Sequence, residues 1–339
     1  MSANESKCCE QEIKRNKKRV LLEQSNLLPF RLEPSYRDYI WGGNRLRPEE
    51  PITAEAWLIY ENNKVLDGVY SGSTLGEVAL AEGETLLGHK TVSLTGKRFP
   101  LLIKILDSQK WLSLQVHPNN DQAERLEGQG HFGKMEGWYI IDADEGSQLI
   151  SGFKEGVSQA SIRESIGSSQ ILELVAFRDM KAGDYLMISP GTIHALGPGL
   201  LVYEVQQTSD LTYRVYDWDR PQDNKRKLHI EQAKATLDTG VKGTVYHQDD
   251  VIETGSYNLF SCPYFDLHLI AGKNGSVSLD THARSFSALT VVQGQADIIG
   301  NGWHYNLNNY ESLLIPAVCS KYSVGLSGKS KVLYAFVGS

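Results

Sequence analysis

Gln115 and His117 are the residues of this chain best placed to do chemistry. Side chains two apart on a strand point to the same face, so both can reach one cation while Val116 packs behind them. His194 closes the segment Pro190-Gly191-Thr192-Ile193-His194, and Glu136 stands at the entry to the strand-length stretch Trp138 to Ile141. Two imidazoles, a carboxylate and an amide oxygen form a nitrogen and oxygen donor set that suits a catalytic zinc with one position left for water or substrate. The lack of cysteine donors argues against a purely structural zinc. On spacing alone, a plain strand carrying two polar residues fits equally well. His89, His131, His229, His247, His268, His282 and His304 read as satisfied core or surface histidines.

The elements that must position these residues are short. Leu101 to Leu106, Trp138 to Ile141, Tyr185 to Ile188 and Leu200 to Val205 are strand-length apolar runs, and 31 glycines punctuate the chain. That is the pattern of a β-sandwich or barrel rather than of alternating β and α units. Helical periodicity is confined to Ser73–Leu87, Asn120–Glu127, Ser158–Leu174 and His229–Leu237, with Asn119 or Asn120 able to cap the second. The unit Gly183 to Gly191, a turn, a buried strand and a Pro-Gly turn, is repeated in outline by Asn309 to Ala317, with Val291 to Ile299 as the partner of the second copy. The expected fold is therefore mainly β: two jelly rolls, with a few short helices inserted in the first. The expected organisation is a charged tail over 1–26, a catalytic roll with its helical insert over 27–240, and a second roll over 241–339. Four positions after Pro190 stands His194, whereas four after Pro316 stands Ser320, so the second roll is expected to hold no metal.

Bulk properties narrow the partners. A length of 339 residues suggests about two domains, and 41% hydrophobic with 22% charged residues is an ordinary globular composition. A formal net charge of -7 argues against nucleic acid or an acidic membrane as the main partner. An anionic small substrate would then need local lysines and arginines. Cys8, Cys9, Cys262 and Cys319 have no zinc-like spacing, and neighbouring Cys8 and Cys9 rarely bridge each other, which fits a reducing compartment. The basic run Lys14 to Arg19 lies in a polar tail without a signal-peptide core, and nothing approaches the roughly 20 apolar residues of a membrane span. A cytoplasmic protein, monomeric or homodimeric, is expected.

Several longer stretches carry a family resemblance. Ser113 to Pro118, Pro190 to Leu196, and Glu204 to Arg214 followed by Val215-Tyr216-Asp217-Trp218-Asp219-Arg220 resemble type I mannose-6-phosphate isomerases in their short bacterial form. Tyr39 to Gly43, Glu55-Ala56-Trp57 and Pro100 to Leu106 match as well, so the likeness runs in order over roughly residues 27 to 240. The C-terminal part resembles that family's second cupin only loosely. The resemblance implies a pair of cupin-type jelly rolls, one zinc per chain and interconversion of mannose 6-phosphate with fructose 6-phosphate. It implies Gln115, His117, Glu136 and His194 as metal ligands, Lys104, Lys134, Glu204 and Arg214 as catalytic groups, and Ser113, Asp210 and Trp41 as substrate contacts. At Gly133-Lys134-Met135-Glu136 the chain departs from the His-Lys-Pro-Glu of longer members, so no role of that histidine transfers, and His131 is two positions away. Leu58 and Tyr60 depart too.

The chemistry stands without the name. Moving a proton between C1 and C2 of an aldose and a ketose needs a base near neutrality, an electrophile for the enediolate, and positive charge for the phosphate. A divalent cation serves as the electrophile. Lys104 or Lys134 can be the base if burial and nearby cations lower the pKa, with Glu204 as the carboxylate alternative. Arg214 offers a planar fork for phosphate or a developing oxyanion, and its alternation with Tyr213 and Val215 puts it on the polar face with Thr212. The blander readings are a snorkelling Lys104, a Glu204 that only pairs with Arg214, and an Asp210 that caps a turn. The rivals are a cupin iron oxygenase, disfavoured by glutamine among the ligands, a non-catalytic sugar-phosphate-binding cupin that has kept the pocket, and a purely structural jelly roll, which leaves the histidines of one roll unexplained. No dinucleotide fingerprint, phosphate loop or nucleophile elbow is present.

Overall fold

The computed structural model describes residues 27–221, 226–249 and 253–338. The basic run Lys14 to Arg19, the tail over 1–26 and the cysteines Cys8 and Cys9 lie outside them. The fold is mainly β, two jelly rolls set back to back with a few short helices inserted in the first. One antiparallel sheet runs in spatial order Ser35–Arg37, Glu55–Ile59, Leu101–Ser108, Leu200–Gln207, Glu136–Ala143, Asp184–Ile188 and Tyr246–His247. A second sheet faces it, in the order Tyr213–Tyr216, Leu114–Val116, His194–Leu196, Gln148–Phe153 and Val175–Asp179. A third, built on the long strands Ser287–Gly300 and Lys321–Phe336, forms the second roll.

The central strands of the first sheet are buried on both faces. Every residue of Leu101–Ser108 and of Leu200–Gln207 is buried, which is why these strands read as unbroken apolar runs with a few charges embedded. Even-numbered residues such as Leu106, Trp138, Ile140 and Val202 pack inward with Leu149 and Leu196 of the second sheet. Odd-numbered ones, Ile103, Ile105, Tyr139, Tyr203 and Val205, pack outward with Phe265, Leu267, Phe286 and Leu333 of the second roll. Period-two alternation thus sends one strand's side chains into two cores. Each fully buried aliphatic residue in them contributes about 1.5–3 kcal/mol. At Gly137 the backbone presses on the ring of Phe260, leaving no space for a Cβ.

The second roll encloses its own apolar interior, with Leu289, Val291, Ile298, Trp303, Val324 and Val332 among its residues. Register shifts between Val291 and Gln295, with Gly294 at φ 75°, bend the long strand so that it can wrap this interior.

The helix Asn120–Glu127 is the one expected, and Asn119 caps it in a reciprocal box with Gln122. Ser73–Leu87 is not one helix. It divides into Leu75–Glu82 and Glu84–Leu87, followed by an unforeseen His89–Thr95, because Gly83 (φ 53°) and Gly88 (φ 83°) adopt left-handed backbone between the pieces. Ser158–Leu174 likewise shrinks to Gln159–Ser165 plus a tight turn over Ser169–Glu173, interrupted at Gly167 (φ 88°). Among the described residues no helix is long and apolar enough to cross a membrane.

Candidate metal centre and the pocket around it

Leu114–Val116 and His194–Leu196 are adjacent in the second sheet, with Gln115 directly opposite His194. His117 follows its strand immediately, where the chain turns through Pro118 into the capped helix. The Nδ1 atom of His117 lies 2.9 Å from the carbonyl of Leu211, and Nδ1 of His194 lies 2.9 Å from the carbonyl of Thr192. A carbonyl oxygen only accepts, so each Nδ1 carries its ring's proton and each Nε2 is left as a lone pair, with Lys134 Nζ 3.5 Å from that of His117. Those two Nε2 atoms point at the same spot, 3.1 Å apart.

Glu136 reaches that spot from the facing sheet, where it heads the strand Glu136–Ala143. Its Oε1 is 3.3 Å from Nε2 of His117 and its Oε2 is 3.5 Å from Nε2 of His194. Oε2 is buried and accepts no hydrogen bond. Lys134 Nζ sits 2.7 Å from Oε1. Burial, then the Lys134 ammonium, pushes His117 down to about 3, and burial lowers His194, so both rings are neutral. Burial alone would raise Glu136, but the Lys134 ammonium outweighs it and holds the carboxyl well below its usual range.

A cation fits this donor set. Two neutral imidazole lone pairs facing each other have no hydrogen to share, and the buried Oε2 has no donor. The 3.1–3.5 Å spacings approach the edge of about 3.4 Å expected for a tetrahedron of donors at roughly 2.1 Å from one ion. The Gln115 amide lies 3.2 Å from His194 Nε2, and a half-turn of the amide presents its oxygen there. Among the described residues His117, Glu136 and His194 are the group of three such side chains that converge in this way.

Beside this centre, antiparallel register sets four side chains in a row across the first sheet. Trp57 is opposite Lys104, Lys104 opposite Glu204, and Glu204 opposite Trp138. Lys104 Nζ lies 3.2 Å from Glu204 Oε1 and 3.5 Å from Glu55 Oε2. Trp138 Nε1 donates to Glu204 Oε2 at 2.9 Å, and Trp57 Nε1 donates to Glu55 Oε2 at 2.6 Å. Burial works against the Lys104 charge, yet Glu204 and Glu55 override it and raise its pKa above the ordinary lysine value. Burial, reinforced by Glu136 and opposed by Lys104 and Lys134, pushes Glu204 up to about 7.

Both groups open on a cavity of about 530 Å³. Its wall brings together Trp41, Lys104, Ser113, Gln115, Lys134, Glu136, Glu204, Asp210 and Arg214, while His117 and His194 sit buried behind it. Thr212 and Arg214 face the cavity and Tyr213 and Val215 the core, as alternation requires. Arg214 lies opposite Gln115 in the sheet and donates from Nη1 to the Lys227 carbonyl at 3.0 Å. Glu55, Trp138 and His229 line the wall without having been singled out for a role from sequence. His229 is a satisfied histidine, as expected, its Nδ1 accepting from the Arg214 backbone N–H at 3.1 Å at the edge of the cavity. Its place just ahead of the helix Ile230–Thr236 gave no signal of that contact.

Comparison with known proteins places relatives on this frame. Residues 29–134 match the model of the family described as phosphomannose isomerase type I, catalytic domain. The chain is 38% identical to mannose-6-phosphate isomerase of Streptococcus mutans over 303 residues, covering 85% of this chain and 92% of that one. It is 34% identical to the probable mannose-6-phosphate isomerase GmuF of Bacillus subtilis, over 87% and 96% of the two chains. Among solved structures, the mannose 6-phosphate isomerase of Bacillus subtilis superposes with a TM-score of 0.78 at 29% identity, over 91% of this chain and 99% of that one.

Proposed function

The chain belongs to the type I mannose-6-phosphate isomerases, and from that premise we propose that it interconverts mannose 6-phosphate and fructose 6-phosphate by proton transfer between C1 and C2, assisted by one zinc ion. The observation carrying this reading is the convergence of two neutral imidazole Nε2 atoms and an unpartnered carboxylate oxygen beside a lysine- and arginine-lined cavity. Gln115, His117, Glu136 and His194 would hold the ion. Bound there, it would supply Lewis-acid polarisation of the sugar oxygens at C1 and C2.

The chain's own residues account for the proton movements. Glu204, ionising near neutrality, takes the proton from C2 of the open-chain aldose, leaving an enediolate, and returns it to C1. The hydroxyl proton of O2 passes to O1 in the same interval, so the sugar keeps its atoms and its charge. Lys104 remains an ammonium between Glu204 and Glu55, so it donates to the sugar oxygens rather than acting as the base. Lys134, held against Glu136, adds positive charge at the same end. Arg214 presents a guanidinium to the charge that grows on the enediolate or to the phosphate. Ser113, Asp210 and Trp41 contact the sugar from the wall. Residues 27–240, with the strand Tyr246–His247 that completes the first sheet, carry this chemistry, and the roll that follows backs it.

The test is formation of fructose 6-phosphate from mannose 6-phosphate after chelation and after zinc is added back. Activity that survives thorough metal removal would overturn the metal-assisted route. Unchanged turnover in Glu204→Gln would overturn the choice of base.

A further inference from the structure

We propose that Trp138 is a positioning residue for Glu204, its indole N–H fixing one carboxylate oxygen so that the other keeps its place at the cavity wall beside Lys104. The inference rests on the reading of Glu204 as the base. The contact is 2.9 Å from Nε1 to Oε2, between side chains only 1% and 2% exposed. The other oxygen, Oε1, accepts no well-directed hydrogen bond, although the Lys104 ammonium stands 3.2 Å away. One carboxylate is thereby divided between an oxygen with a directed donor and an oxygen that faces the Lys104 ammonium.

A carboxylate turns about its last single bond unless something stops it. Beside an ammonium, the unrestrained outcome is rotation until both oxygens share the cation, which moves Oε1 from its place at the wall. An indole donor on Oε2 opposes that rotation, and its bulk keeps water from replacing it. The indole cannot itself drift. Cross-strand pairing sets Trp138 directly opposite Glu204, and the ring stands edge-on to the His194 imidazole, with centroids 5.5 Å apart at 73°. The backbone immediately before it is pinned where Gly137 meets Phe260. One rigid side chain therefore sets the spacing between a metal-ligand candidate and the base.

Replacing Trp138 by benzothienylalanine, site-specifically in the full chain, keeps the bicyclic outline and removes only the N–H. Turnover should fall about tenfold or more, as for a lost hydrogen bond to a charged group. The Michaelis constant should stay within about twofold, with bound metal close to that of the parent protein. Turnover equal to the parent's would overturn the proposal and leave Trp138 as packing. Trp138→Phe repeats the test without the unnatural residue: lower turnover at a held Michaelis constant supports the positioning role, and unchanged turnover rejects it. Glu204→Gln separates the two levels of the argument, since full turnover there removes the assignment of the base itself rather than the brace upon it.

Discussion

His117 and His194 point their Nε2 lone pairs at each other across 3.1 Å, while each gives its Nδ1 proton to a backbone carbonyl. The main chain thus fixes both tautomers before any ligand arrives. Such a pair repels unless a cation or a donor stands between its members, and the carboxylate closing the third side adds a negative charge.

Metal removal should therefore cost stability as well as activity. A cation binding only the native state stabilises it in proportion to its occupancy, by about 4 kcal/mol at a thousandfold excess over its dissociation constant. Chelation is expected to lower the melting temperature and abolish isomerisation, and zinc should restore both. Calorimetry beside a coupled assay for fructose 6-phosphate reads the two together.

Arg214→Ala is expected to leave fold and metal content nearly intact, because the side chain belongs to neither the core nor the donor set. If the guanidinium meets charge that grows toward the enediolate, turnover should drop about 100-fold or more, roughly 2.7 kcal/mol of transition-state stabilisation. A raised Michaelis constant at unchanged turnover would instead assign it to uniform phosphate binding.

As the proposed base, Glu204 acts only when deprotonated, and because burial and then Glu136 raise its pKa the ratio kcat/KM should fall on the acid side. Glu55 is among the charges that raise it, so Glu55→Gln should move the acid limb to lower pH. The substrate phosphate also titrates on the acid side, but its limb does not respond to Glu55. A limb that stays put in the variant assigns the titration to substrate.

Gly137→Ala tests how tightly the two rolls are joined. The added methyl has no space against Phe260, and overpacking of this kind typically costs about 1–3 kcal/mol. Urea denaturation should show a lower midpoint, and Phe260→Ala in the same chain should recover part of the loss. Equal stability of parent and variant would mean that the rolls part easily at this contact.

Much of this was legible in the chain because it depends on local period. Gln115 and His117 are two apart, and Thr212, Tyr213, Arg214 and Val215 alternate. The buried strands were recognisable by composition, though not their second core, since an unbroken apolar run does not reveal what covers each face. The row Trp57, Lys104, Glu204 and Trp138 was not legible, because antiparallel register between distant strands sets it. The place of His229 at the pocket edge was not legible for a related reason, its contact with Arg214 being made through the backbone. The helix over Ser73–Leu87 was overextended because periodicity continues through Gly83 while the dihedral angles do not.

The doubly covered central sheet gives the molecule a party wall. On the strand Leu200–Gln207, Glu204 lines the pocket, while its neighbours Tyr203 and Val205 pack on the roll behind. The two vocabularies are interleaved letter by letter, so substitutions in one can drift without rewriting the other, provided the strand keeps its register. A roll with no expected metal of its own would then persist as masonry: taken away, it would leave the floor of the pocket bare to water on its far side.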